Sequence, residues 1–196
     1  MASATKTTAQ VMDWTLVEDA NNVIESSNQS LATYLKSSLM VTVGHADNDA
    51  NALGLLVRIE GRYGTADKDW HKLYEVRMGA GTAGADDLDG DASATYASIT
   101  LTNGYPTVGD KWFIYDQVNI SASEVATTTS NASTNWTVLD GIFDGHLDET
   151  PIYDGVAEKQ FPIPDEVSTV RVVFVNDDAD ADMVARVDLS AMTAIG

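Results

Sequence analysis

The 196-residue chain predicts an all-β fold, an antiparallel β-sandwich with jelly-roll-like packing and a small inserted β module. Three observations predict it. Apolar and polar residues alternate with period two, as in Val57, Ile59 and Gly61 against Arg58, Glu60 and Arg62, the signature of a half-buried strand. Turn formers break the strand-like runs about every 10 to 15 residues, a meander spacing. No repeat of about 40 to 50 residues is visible, so a propeller is disfavoured.

The elements follow in order. Residues 1–10 (MASATKTTAQ) read as a flexible arm, with no apolar core of a secretory signal. Residues 11–17 form a first strand. Residues 18–36 are rich in Asn and Ser and read as irregular rather than helical. Strands are expected at 38–43 (SLMVTV), 53–63 (LGLLVRIEGRY) and 70–78 (WHKLYEVRM). The Gly, Ala and Asp run at 79–93 reads as an exposed loop. Residues 96–101 (YASITL) alternate again. Further strands are expected at 112–115, 118–126, 135–139 and 151–153, with a turn at 128–131. Two prolines in 160–164 (QFPIP) suit an edge. Residues 168–176 (STVRVVFVN) are the strongest strand, apolar enough for burial on both faces. An acidic turn at 177–182 (DDADAD) leads into 183–189, and the two strands read as a C-terminal hairpin. The expected layout is discontinuous. Residues 11–103 and 156–196 make the main sandwich, and residues 104–155 are the inserted module.

Composition narrows function. The formal net charge is −19, from 30 Asp and Glu against 11 Lys and Arg. Such a surface repels phosphate backbones and anionic headgroups, so no nucleic-acid or membrane partner is expected. The absence of Cys removes disulfides, thiolate metal sites and Cys nucleophiles.

The motifs carry little chemistry. Three loops cluster carboxylates: Asp47 with Asp49, Asp86–Asp91, and Asp177–Asp182. Calcium takes six to eight oxygen ligands of this kind; the other reading is a solvated turn in an Asp-rich chain. His45, His71 and His146 are isolated in sequence, without the local spacing of a zinc site. No G-x-S-x-G elbow, P-loop or dinucleotide fingerprint occurs. Trp14, Trp70, Trp112 and Trp136 could stack on carbohydrate, but are expected to anchor a core or an interface. No catalytic, cofactor-binding or metal-ligating residue is therefore assigned, no cofactor is expected, and the chain is not expected to be an enzyme.

A spaced pattern runs through the module: residues 108–114 (VGDKWFI), Ser123-Glu124-Val125, residues 137–142 (TVLDGI), His146, and residues 150–153 (TPIY). It resembles a β module of structural proteins of tailed viruses. Flanking segments share the resemblance: Arg62-Tyr63, residues 67–70 (DKDW), Val170-Arg171-Val172-Val173 and Ala185-Arg186-Val187. The resemblance implies a virion component: a capsid decoration or cement protein on the outer head surface, or a neck or tail part. The implied partners are the major capsid protein and further copies of the chain, with a trimer favoured. A carbohydrate-binding β-sandwich is the alternative.

Overall fold

The computed structural model describes residues 4–18, 22–47, 49–64, 66–82, 84–90, 98–102, 107–132, 135–138, 145–147 and 149–194. Among them the chain is all-β, with a single 3₁₀ turn at Ile120–Ala122 and no α-helix. The strands are β1 (Ala4–Val17), β2 (Asn22–Glu25), β3 (Gln29–Ser30), β4 (Lys36–His45), β5 (Ala50–Asn51), β6 (Leu55–Tyr63), β7 (His71–Met78), β8 (Gly81–Thr82) and β9 (Ala85–Asp87). Then come β10 (Ser98–Thr100), β11 (Lys111–Ile114), β12 (Glu124–Ala132), β13 (Asn135–Val138), β14 (Pro151–Tyr153), β15 (Ala157–Ile163), β16 (Val167–Asn176) and β17 (Met183–Ala194).

Two antiparallel sheets form a sandwich. Sheet I has the order β1-β17-β4-β15, and sheet II the order β2-β16-β6-β7 with β3 also on β16. Period-two burial follows from the sequence: along β6, Leu55, Val57 and Ile59 are fully buried while Leu56, Arg58 and Glu60 are half-exposed. Leu39, Val41, Val43, Val187 and Leu189 of sheet I meet Leu55, Val57, Ile59, Val172 and Phe174 of sheet II in the main core. Burying each such side chain contributes about 1.5–3 kcal/mol. The outer face of sheet II is a lattice of cross-strand ion pairs. Arg58 meets Glu75, Arg171 meets both Glu25 and Glu60, and Arg77 meets Asp177.

A third sheet, of order β10-β13-β12-β11-β14-β9, is built from residues 85–153. Its two end strands also meet. Leu88, just past β9, bridges Leu101, just past β10, and Asp89 N–H and Thr102 N–H donate to Thr100 and Asp87 carbonyls on either side. This bridge joins the two ends of the sheet, which curls into a small six-stranded barrel. Leu88, Leu101, Trp112, Ile114, Ala126 and Ile152 fill its interior.

The structure corrects several expectations. Residues 4–10, expected as a flexible arm, are strand: Ala4 through Gln10 pair with Ala194 through Asp188. The 18–36 stretch supplies two short edge strands to β16 rather than irregular chain. The 79–93 stretch is not simply an exposed loop, because Ala85–Asp87 pairs with β14 and Leu88 is 1% exposed. Residues 118–123 are not strand. The Asp116 carboxylate accepts the N–H groups of Val118 and Asn119, turning the chain and leaving Val118 91% exposed. The expected turn at 128–131 lies inside β12, where its run of threonines suits a pleated strand. The expected C-terminal hairpin does not form. β16 takes β2, β3 and β6 as neighbours in sheet II, and β17 takes β1 and β4 in sheet I. Residues 177–182 instead cross the sandwich, a gap of about 10 Å that six residues span easily.

Candidate functional site

The barrel docks on the outer face of sheet I through Phe113. Side chains alternate along β11, so Trp112 and Ile114 enter the barrel while Phe113 points outward. Phe113 is fully buried, with its ring centroid 4.6 Å from that of Trp14 and 5.9 Å from that of Tyr115. Val184, Tyr153 and Ala46 complete the contact. Gly44 permits it: a Cβ there would lie 3.0 Å from the Phe113 ring.

A groove of about 420 Å³ opens where the two bodies part, lined by residues including Trp14, Thr42, Ser121, Ser123, Glu124 and Arg186. Its charges are neutralised locally. Arg186 Nε donates to Asp188 at 2.9 Å, and Lys111 pairs with Glu158. The Ser123 hydroxyl accepts the Asp116 N–H at 3.0 Å.

Next to the docking contact lies an acidic corner. The first and third Asp clusters meet here. Asp47 accepts the Asp182 N–H at 2.6 Å and the Asp49 N–H at 3.1 Å, and Asp182 in turn accepts the Ala46 N–H through its backbone carbonyl. Burial raises the Asp47 carboxyl above its ordinary range; those two N–H donors oppose the shift, and the charges of Asp182 and Asp49 add to it. Burial likewise raises the Tyr115 and Tyr153 phenols, with the Asp47 charge adding to both. His45 is 1% exposed, and its Nδ1 has no hydrogen-bond partner among the described residues. Burial holds its imidazole below the usual 6.5, against the pull of Asp47, Asp154 and the Gly79 backbone.

That depression has a testable sign. A base whose folded pKa is lowered contributes stability that is complete above 6.5 and lost as pH falls below it. Asp47 acts oppositely, since its raised pKa favours the fold once pH falls toward the carboxylate range. Between pH 7.5 and 5.5 the His45 effect is expected to dominate. The Tm of the wild type should fall more over this interval than that of His45→Gln, by thermal melts in matched buffers. Equal slopes would remove His45 as the cause.

His146 is buried beside the start of β12, 1% exposed. Its Nε2 lies 3.2 Å from Glu124 Oε1, and its Nδ1 lies 3.6 Å from Asp116 Oδ2, too long for a hydrogen bond. Both ring nitrogens face carboxylates. The exposed His71 meets Asp67 at 3.0 Å. No serine hydroxyl hydrogen-bonds an imidazole among the described residues.

The structure brings together two of the three acidic clusters and leaves the second apart on the barrel. In none do carboxylates converge on a common point: among the described residues, no group of three or more His, Asp or Glu is placed to hold a metal ion. Their oxygens accept neighbouring N–H groups, Thr102 Oγ1 or Arg77 instead. Trp14 and Trp112 are buried, and Trp70 is half-buried, with the guanidinium groups of Arg62 and Arg171 at 4.1 and 4.5 Å from its ring centroid. The side chain of Trp136 lies outside the described residues. Sequence reasoning missed Asn176, Phe113 as a docking residue, and Gly44. Only Phe113 left a signal, as an apolar residue out of phase with Trp112 and Ile114.

The fold and the junction define an antiparallel β-sandwich carrying a docked barrel. Comparison with protein-family models finds no match, and comparison with curated proteins finds none. Among solved structures, the exoplasmic/lumenal domain of VIP36 in a Ca²⁺- and Man3GlcNAc-bound form is 12% identical, with a TM-score of 0.31 over 97% of this chain and 85% of that one. The VP16–VP17 complex of the two major capsid proteins of bacteriophage P23-77 is 10% identical, with a TM-score of 0.21 over 97% and 99%. A structure of infectious bursal disease virus, Gt strain, is 10% identical, with a TM-score of 0.22 over 98% and 41%. These are faint likenesses, and no residue role is transferred from them.

Proposed function

We propose that this chain is a non-enzymatic structural subunit of a virion: a decoration or cement protein on the outer head surface that stabilises the shell by bridging neighbouring capsid subunits. The observation that supports it most is how the chain uses its polar chemistry. Among the described residues, His146 faces Glu124 and Asp116, and Asp47, Asp86, Asp87, Asp177 and Asp178 accept hydrogen bonds from the protein's own groups, which holds turns and the sandwich corner. What remains for partners is area and charge. Residues 104–155 supply most of the barrel, a second body on one face of the sandwich, suited to reach a neighbour. The net charge of −19 favours the side of the shell away from packaged nucleic acid. The partners in this reading are the major capsid protein and further copies of the chain, closed into a ring, a trimer first.

The test is add-back to shells that lack the protein. Saturable binding and a higher rupture temperature of the loaded shell are expected, by mass action on the folded and assembled states. Images of intact particles with this chain only at the neck or tail would sink the decoration role and keep the virion one. No binding to shells and no place in the particle would sink both.

A further inference from the structure

The barrel covers only one end of the outer face of sheet I, near Gly44 and Val184. Among the described residues, the other half of that face is open. Strand register sets its side chains in rows. Lys6, Met192 and Lys36 lie side by side; Ser190 and Ser38 sit in the next row; Asp188 and Met40 lie beyond it. Met192 is 40% and Met40 36% exposed. The first two rows carry no carboxylate, in a chain that has 30. Neither Lys6 nor Lys36 forms an ion pair among the described residues, whereas Arg58, Arg77, Lys111, Arg171 and Arg186 all do.

We infer that this open half of sheet I is where two copies of the chain meet. Two subunits of charge −19 repel one another, and they approach at least cost where carboxylates are missing. Serines separate the two methionine rows, and the face offers apolar area at both ends. It also complements itself. Turned by 180° about an axis along the Ser38–Ser190 row, a second copy lays its Lys6–Met192–Lys36 row over the Asp188–Met40 row of the first. Such a contact is isologous and pairwise, unlike the heterologous contact of a three-fold ring. It stands whether or not the chain is a virion subunit.

Four strands spaced about 4.8 Å and some seven residues of length give about 400 Å² per copy. The total is below the roughly 1,200–2,000 Å² of stable complexes, so the pairing is weak and shows at about 0.1–1 mM chain. Its salt dependence carries a definite sign. Salt screens the net repulsion and leaves the apolar contact, so association strengthens as ionic strength rises.

Sedimentation equilibrium of the full chain at 0.05 and 0.5 M NaCl tests this. Mass rising toward two chains, more at high salt, is expected for the wild type. The double variant Ser38→Glu, Ser190→Glu places carboxylates on the axis and should weaken the pairing at least about a hundredfold. Both positions are partly exposed on the open face; Ser38→Glu also removes the hydrogen bond that its hydroxyl accepts from Gln160 Nε2 at 2.8 Å, so an unchanged melting profile is required to check the fold. Leu147→Glu, on the exposed barrel end (67% exposed), should leave the pairing unchanged. A chain that stays monomeric at 1 mM in both salts would overturn the inference. So would association that survives the double variant or is abolished by Leu147→Glu.

Discussion

Phe113→Ala is expected to lower the unfolding free energy by about 3–5 kcal/mol, the usual cost of truncating a fully buried Phe. The ring lies between Trp14, Tyr115 and the bare backbone of Gly44. These neighbours belong to two bodies, and neither can close the cavity without shifting the other. A chain of this size loses roughly 2–4 °C per kcal/mol, so the midpoint should drop on the order of 10 °C. The site of the damage distinguishes this change from an ordinary core truncation. Ile114→Ala, one residue along and also fully buried, opens the barrel interior on the opposite side of β11. It should destabilise the barrel and leave the docking face intact. Phe113→Ala should instead uncouple the bodies, so that a single calorimetric transition becomes two and cleavage sites between barrel and sandwich open first. A cost below about 1 kcal/mol with one transition retained would show that Phe113 does not hold the docking.

The contrast between adjacent residues explains how much the sequence discloses. Period-two alternation marked β6, which buries one face and wets the other, and a near-continuous apolar run marked β16. Closure of the barrel left no such mark. It depends on Leu88, a lone apolar residue among Gly, Ala and Asp, meeting Leu101 across a gap of thirteen positions. Partner choice was hidden for a related reason. The β16 and β17 segments are neighbours in sequence with a turn between them, the pattern of a hairpin, yet each has better partners elsewhere. Residues 4–10 lack apolar periodicity because β1 is an edge strand there, with residues 5–10 exposed; backbone pairing with β17, aided by the Thr7 and Thr193 hydroxyls donating to Ala191 and Thr5 carbonyls, orders them. At the candidate site, Asp47 and Asp182 were visible as acids. Their meeting, 135 positions apart, was not.

Asn176→Ala is expected to cost about 3 kcal/mol, and the reason lies in what the side chain satisfies rather than in its size. Asn176 is fully buried where the chain leaves sheet II. Its Nδ2 donates to the carbonyls of Val17 at 3.1 Å and Ala181 at 2.7 Å, and its Oδ1 accepts from Asn51 Nδ2 and the Asp178 N–H, both at 3.3 Å. One amide thus ties β1, the crossing loop and the β5 loop to the end of β16. Removing it strands buried polar groups, each at a cost of about 1–3 kcal/mol less any solvation regained through relaxation. Asn176→Asp separates hydrogen bonding from packing, because it keeps the shape. At neutral pH the carboxylate has no donor for Val17 and Ala181 and adds a buried anion beside Asp177 and Asp178, so it should be more damaging than Ala. Burial raises the pKa of the new acid, and protonation restores one donor. Relative to wild type, Asn176→Asp should therefore regain stability as pH falls from 7 to 5, while Asn176→Ala stays flat. Denaturant melts of all three proteins at both pH values decide it. Parallel pH profiles for the two variants would mean that the amide fills space and does not hold the corner by its hydrogen bonds.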